Sequence, residues 1–244
     1  MTYLQHLEEL RRRLIVSAIA FLVAFAVAWL FAWDILNILK EPAGALTLNY
    51  MTPMEPFLVR FKLALFGSII LVLPVVLFEI LGFVSPALKN KERRYTYGVL
   101  LMIVAFFAVG VVFGYKVIMP PGIKWLFNVA NGQMRPVMSA SSYISFAGWF
   151  MLGLGVSFET PVFIWLLVAL RVVSPEQLQK QWRWALIIIL IVASVITPDW
   201  SPVTMILVAI PMTILYIISI ALAWGTTRKR RAREAEAAEA AEAA

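Results

Sequence analysis

Residues 14–33 read LIVSAIAFLVAFAVAWLFAW, twenty positions without a charge, directly after Arg11, Arg12 and Arg13. A helix needs about 20 mostly apolar residues to cross the hydrocarbon core of a bilayer. The run is continuous rather than alternating, so it reads as a spanning helix and not as a barrel strand. The arginines before it and Ala26-Val27-Ala28 inside it superficially resemble a cleavable leader. The apolar run continues past that site and is long enough to span, so we read it as retained.

The same reading repeats downstream. Spans are expected at about 14–33, 63–83, 95–115, 143–170, 184–197 and 203–224. The second is interrupted only by Glu79, near its end. The expected fold is an all-α membrane protein with six transmembrane helices in residues 1–227. Residues 228–244, a basic cluster and then Ala/Glu repeats, read as a solvated, disordered tail. The whole-chain composition agrees: 62% of the 244 residues are hydrophobic and 14% charged, far from the balance of a soluble domain.

Lysine and arginine set the expected orientation. With the N-terminus inside, the inner segments hold 15 of the 21 basic residues and the outer segments six: Lys40, Arg60, Lys62, Lys116, Lys124 and Arg135. Such an excess favours both termini on the cytoplasmic side. Two outer segments are then long loops, at 34–59 and 116–142, punctuated by Pro42, Gly44, Pro53 and Pro56 and by Pro120, Pro121 and Pro136. Ile35, Leu36, Ile38 and Leu39 mark a short interfacial helix at the start of the first. The last outer turn, Thr197-Pro198-Asp199-Trp200-Ser201-Pro202, makes a tight hairpin of spans five and six, and Asp199 at its tip has a plain turn reading. Span five has only 13 residues from Trp184 to Ile196, about 20 Å against a core of about 30 Å. Either its Pro-containing turn dips into the membrane against protein, or the bilayer thins around it.

The chain has no cysteine and one histidine, His6. This removes thiolate chemistry, disulfides, HExxH zinc sites and Ser–His dyads. Gly155-Val156-Ser157-Phe158-Glu159 departs from a GxSxG elbow at its last position. An enzyme has few parts to work with here, and no metal or cofactor is expected.

Glu159 is the sharpest polar feature, well inside span four and followed by Thr160-Pro161. An acid there costs about 2.5–3.5 kcal/mol on insertion scales, so it faces the bundle or a wet cavity, and its default reading is functional. The plainer reading is a neutral carboxyl bonded to backbone. Pro161 has no N–H, which leaves the Ser157 carbonyl without its usual partner. Glu8, Glu9 and Glu92 read as structural on these grounds: Glu8–Arg12 and Glu9–Arg13 have i,i+4 spacing, and Glu92 stands where an acid suits a helix N-terminus.

Several segments together resemble the TatC family of twin-arginine translocase subunits. His6-Leu7-Glu8-Glu9-Leu10-Arg11-Arg12-Arg13-Leu14 is similar to its HLxELRxRL, and Thr52-Pro53-Met54-Glu55-Pro56-Phe57 to its TPxExF. Ser85-Pro86-Ala87-Leu88 with Lys91-Glu92-Arg93-Arg94 resembles its first inner loop. Tyr143-Ile144-Ser145-Phe146, Phe158-Glu159-Thr160-Pro161, Thr197-Pro198-Asp199 and Ala209-Ile210-Pro211 resemble later signatures. The resemblance covers about residues 3–227.

That resemblance implies a receptor in the prokaryotic cytoplasmic membrane for signal peptides bearing paired arginines on folded cargo. By it, Glu9 and Glu92 accept the arginines, with Leu10 and Phe83 as apolar contacts and Arg11 in the same motif. Pro42, Glu55, Pro86 and Asp199 are further motif positions. Glu159 and Pro161 fall to a membrane cavity or partner-docking region, beside short fifth and sixth spans. Implied partners are single-span TatA-type and TatB-type subunits, lipid and further copies in an oligomer, without nucleic acid, and transport is driven by the proton-motive force. An arginine fork suits carboxylates better than a lysine point charge. The competing expectation is a proton-coupled secondary transporter using Glu159, although no inverted repeat supports it.

Overall fold

The structure, a computed structural model, describes residues 3–44, 47–84, 93–129, 133, 137–169, 172–197 and 201–242. Helix α1 (Tyr3–Leu30) is followed after one residue by the short α2 (Ala32–Lys40), whose Leu36 and Leu39 are buried. This is the short helix expected from their spacing. The long helices α3 (Glu55–Val84) and α4 (Arg93–Phe113) follow, and α4 passes through a π-turn at Gly114–Ile118 into α5 (Met119–Asn128). Then come α6 (Ala140–Phe158), α7 (Thr160–Ala169), the single-turn α8 (Pro175–Lys180), α9 (Trp182–Ile196) and α10 (Pro202–Glu242).

Five stretches among the described residues are long and apolar enough to cross a membrane: His6–Leu30, Glu55–Ile80, Leu100–Asn128, Ala140–Ala169 and Pro202–Arg228. Helix α9, with 15 residues, is about 22 Å long and falls short of the hydrocarbon core. The sixth expected span is not short, because its apolar stretch has 27 residues.

One further expectation is corrected. The segment 116–142 does not leave the bundle as a loop at Lys116, because helix continues to Asn128. Pro120 and Pro121 have no N–H to give, and the π-turn shifts the hydrogen-bond register just ahead of them, so the helix absorbs both. Helix α10 runs on to Glu242, as alanine and glutamate favour. Span four is present as the single apolar stretch Ala140–Ala169, with a break at Glu159 between α6 and α7 where Pro161 marks a weak point. Thr160 Oγ1 donates to the Ser157 carbonyl at 2.7 Å and satisfies the group that Pro161 cannot.

Helix α3 packs against α1 on one side and α6 on the other, α4 packs on α6, and α10 covers α7 and α9. Lipid is as apolar as leucine, so close fit rather than water exclusion holds such helices together. Tyr143, Phe150, Leu63, Met119, Ile144 and Leu154 lie fully buried at the centre. Gly148 is the tightest contact there: a Cβ on it would lie 2.3 Å from the Phe66 ring.

The loops at 34–59 and 116–142 meet at one end of the bundle. Leu48 and Asn49 pair in parallel with Met138 and Ser139. Tyr143 donates its hydroxyl to the Leu39 carbonyl, and Tyr115 donates to the Ile38 carbonyl at 2.6 Å. These bonds pin α2 across the ends of α4 and α6.

Candidate functional site

At the opposite end, where α1 begins and α3 ends, a small apolar and charged seam is assembled. The His6 and Phe83 rings stack with centroids 4.3 Å apart. Two helical turns further along α1, Arg13 donates from Nε and Nη2 to the same oxygen of Glu9, Oε1, at 3.1 and 2.7 Å. Its Nη1 donates to Glu79 twice, to Oε2 at 2.9 Å and to the backbone carbonyl at 3.2 Å. The side chains of Glu9, Arg13 and Glu79 are 24%, 23% and 18% exposed, so the ion-paired row stands between protein and water. A cavity of about 270 Å³ lined by Glu9, Arg12, Arg13, Val16 and Glu79 opens beside it.

The i,i+4 spacing correctly anticipates Glu9–Arg13, whereas Glu8–Arg12 is not an ion pair. Leu10 is 37% exposed, Arg11 is exposed and Phe83 is half-buried. Glu9, Leu10 and Arg11 thus share the start of α1, with Phe83 across the seam on α3. Glu92, Pro86 and Asp199 lie outside the described residues. Glu79, as the second partner of Arg13, is the member that sequence reasoning missed. The available signal was a lone acid within an apolar span, which the cost of such a charge marks for pairing.

The second place is the α6–α7 break. Glu159 is 1% exposed, and neither carboxylate oxygen has a hydrogen-bond partner of normal geometry, although the Phe107 backbone lies close enough to interact with it. Pro161 is buried beside it. Buried polar groups are almost always bonded, so an acid without a side-chain or well-formed backbone partner here is an exception.

The third is the loop end. Glu55 opens α3 and is 5% exposed. It accepts from the Ser139 hydroxyl, from the Met51 N–H at 2.6 Å and from the Ser141 N–H at 3.0 Å. Lys62 adds bonds to Ser141 Oγ at 2.6 Å and Ser145 Oγ at 2.8 Å. Every partner there is protein, so Glu55 reads as a clasp. Pro42 sits in the 3₁₀ turn Glu41–Ala43 that ends α2. No cluster that would hold a metal occurs among the described residues.

A bundle of long apolar helices, with a carboxylate row at one end that holds a guanidinium, defines a multi-pass membrane protein. The chain belongs to the family of Sec-independent protein translocase proteins, TatC, whose pattern it matches over residues 5–211. It is 35% identical over 237 residues to the TatC of Aquifex aeolicus, covering 95% of this chain and 98% of that one. It is 34% identical to the TatC of Carboxydothermus hydrogenoformans, covering 91% and 93%. A crystal structure described as the twin arginine translocase receptor TatC superposes with a TM-score of 0.81 at 33% identity, covering 91% of this chain and 99% of that one. These relatives are named as translocase components, and the carrier expectation is not favoured.

Proposed function

We propose that this chain is the receptor for paired-arginine signal peptides and the platform on which its translocase assembles. It lies in a prokaryotic cytoplasmic membrane as six spans, α9 being the fifth, with both termini inside. The observation that carries this reading is Glu9: it stands at the accessible start of α1 and already binds a guanidinium at 2.7 Å. Carboxylates placed singly on a strongly basic face select a cation by contact, because long-range charge works against it. Glu9 and Glu92 receive the two arginines, while Leu10 and Phe83 carry the apolar residues beside them.

Binding is the whole of this chain's chemistry. TatA-type and TatB-type partners join at the α6–α7 break, where Glu159 is the polar contact, and the proton-motive force drives transport through the assembled complex. The test is photocrosslinking of a paired-arginine peptide to the protein in membranes. The wild type crosslinks it and not its paired-lysine variant, and Glu9→Ala and Glu92→Ala lose the crosslink while still inserting. An unchanged crosslink in both variants returns the two acids to ion-pair duty.

A further inference from the structure

The seam contains a guanidinium of its own, and its position has consequences for any guanidinium arriving from outside. Arg13 engages Glu9 through a single oxygen with two N–H groups, not through the parallel two-oxygen fork that makes arginine–carboxylate pairs strongest. On its other side Arg13 holds Glu79 by the carboxylate and by the backbone carbonyl together. The Glu79 side is built into the fold. A Cβ at position 82 would lie 2.2 Å from Arg13 Nη1, so glycine there lets the guanidinium lie against the α3 backbone. Two carboxylates share one guanidinium across the seam, and the cavity beside them opens to Glu9 and Glu79 alike.

We propose that Arg13 is an internal occupant of the guanidinium site on Glu9, and that Glu79 is the positioning residue that takes Arg13 over when an external arginine engages Glu9. The inference rests on the receptor reading and deepens it. An arginine that approaches Glu9 bidentately needs the oxygen that Arg13 uses. Arg13 gives up that oxygen without being left unpaired, because Nη1 already rests on Glu79 and its remaining N–H groups can turn to the same acid. Without Glu79, the exchange would strand a partly buried guanidinium, and Arg13 would compete for Glu9 at full strength. Arg13 also sets a threshold: a lysine ammonium, with no fork, exchanges against it poorly.

The experiment measures the affinity of the full-length protein in membranes for a paired-arginine peptide, in the wild type and four variants. Glu79→Gln is expected to weaken binding about tenfold. Arg13→Gln is expected to bind at least as tightly as the wild type. The double variant Arg13→Gln/Glu79→Gln is expected to return to within about twofold of the wild type, because no competitor remains to be held away. Gly82→Ala, which alters no charge, pushes Arg13 off α3 and weakens binding in the same direction as Glu79→Gln. A double variant as weak as Glu79→Gln overturns the proposal, since Glu79 would then act on the peptide or on folding. So does an unchanged Glu79→Gln. A wild type that binds no paired-arginine peptide brings down the receptor reading itself, and is thereby told apart from a failure confined to the variants.

Discussion

Gly148 on α6 receives the flat of the Phe66 ring from α3, at a distance that no side chain, not even a methyl group, could share. The contact sits at the centre of the bundle, beside buried Ala147 and Phe150, and sets how near α3 comes to α6. Adding a methyl group forces one helix away or turns the ring off its rotamer, which costs about 1–3 kcal/mol. Gly148→Ala should therefore lower the melting temperature in detergent. Phe66→Leu in the same chain should recover part of the loss, whereas Phe66→Leu alone should destabilise.

Neither Glu159 oxygen has a hydrogen-bond partner of normal geometry within the chain, so its exchange for an uncharged amide costs the fold little. Glu159→Gln should leave thermal stability unchanged or raise it. If the acid meets the partners, the same variant should cut crosslinking to a TatA-type subunit, and cargo export, by roughly tenfold, as loss of a charged hydrogen bond would. Crosslinking and export unchanged from the wild type in both Glu159→Gln and Glu159→Ala would make the α6–α7 break purely structural.

The clasp at Glu55 makes the contrary prediction, since here all three donors are protein groups. Glu55→Ala should lower the melting temperature more than Ser139→Ala, which removes one donor and spares the two backbone bonds. Peptide binding at the far seam should be unaffected by either, which limited proteolysis and the photocrosslink would report together.

Orientation is testable because the chain has no native cysteine. Asn49→Cys should react with a membrane-impermeant maleimide in intact cells. Glu8→Cys and Thr227→Cys should react only after permeabilisation. Labelling of Glu8→Cys in intact cells would reverse the topology.

Much of this architecture is legible in the sequence, where one strong local force acts. The long apolar runs yield α1, α3 and α10, and Pro161 announces the break after Phe158, because lost N–H groups and unbroken apolar stretches act within a few residues. Pro120 and Pro121 mislead because they mark the end of a helix only when nothing upstream adjusts, and the π-turn at Gly114–Ile118 does adjust. The seam is harder still. Arg13 and Glu79 are 66 residues apart, and α1 and α3 must pack before the two have any relation. An isolated acid in a span says that a partner exists, without saying which of several arginines it is.

The clasp also gives the molecule a moment of completion. Glu55 emerges 84 residues before Ser139, which at about 5–20 residues per second is an interval of roughly 4–17 s on the ribosome. Throughout it the first two long helices stand in the bilayer with their acid facing water and one end of the hairpin untied. Arrival of Ser139 and Ser141 closes that end, so a chain cut short before them leaves the Glu55 carboxylate without two of its three donors.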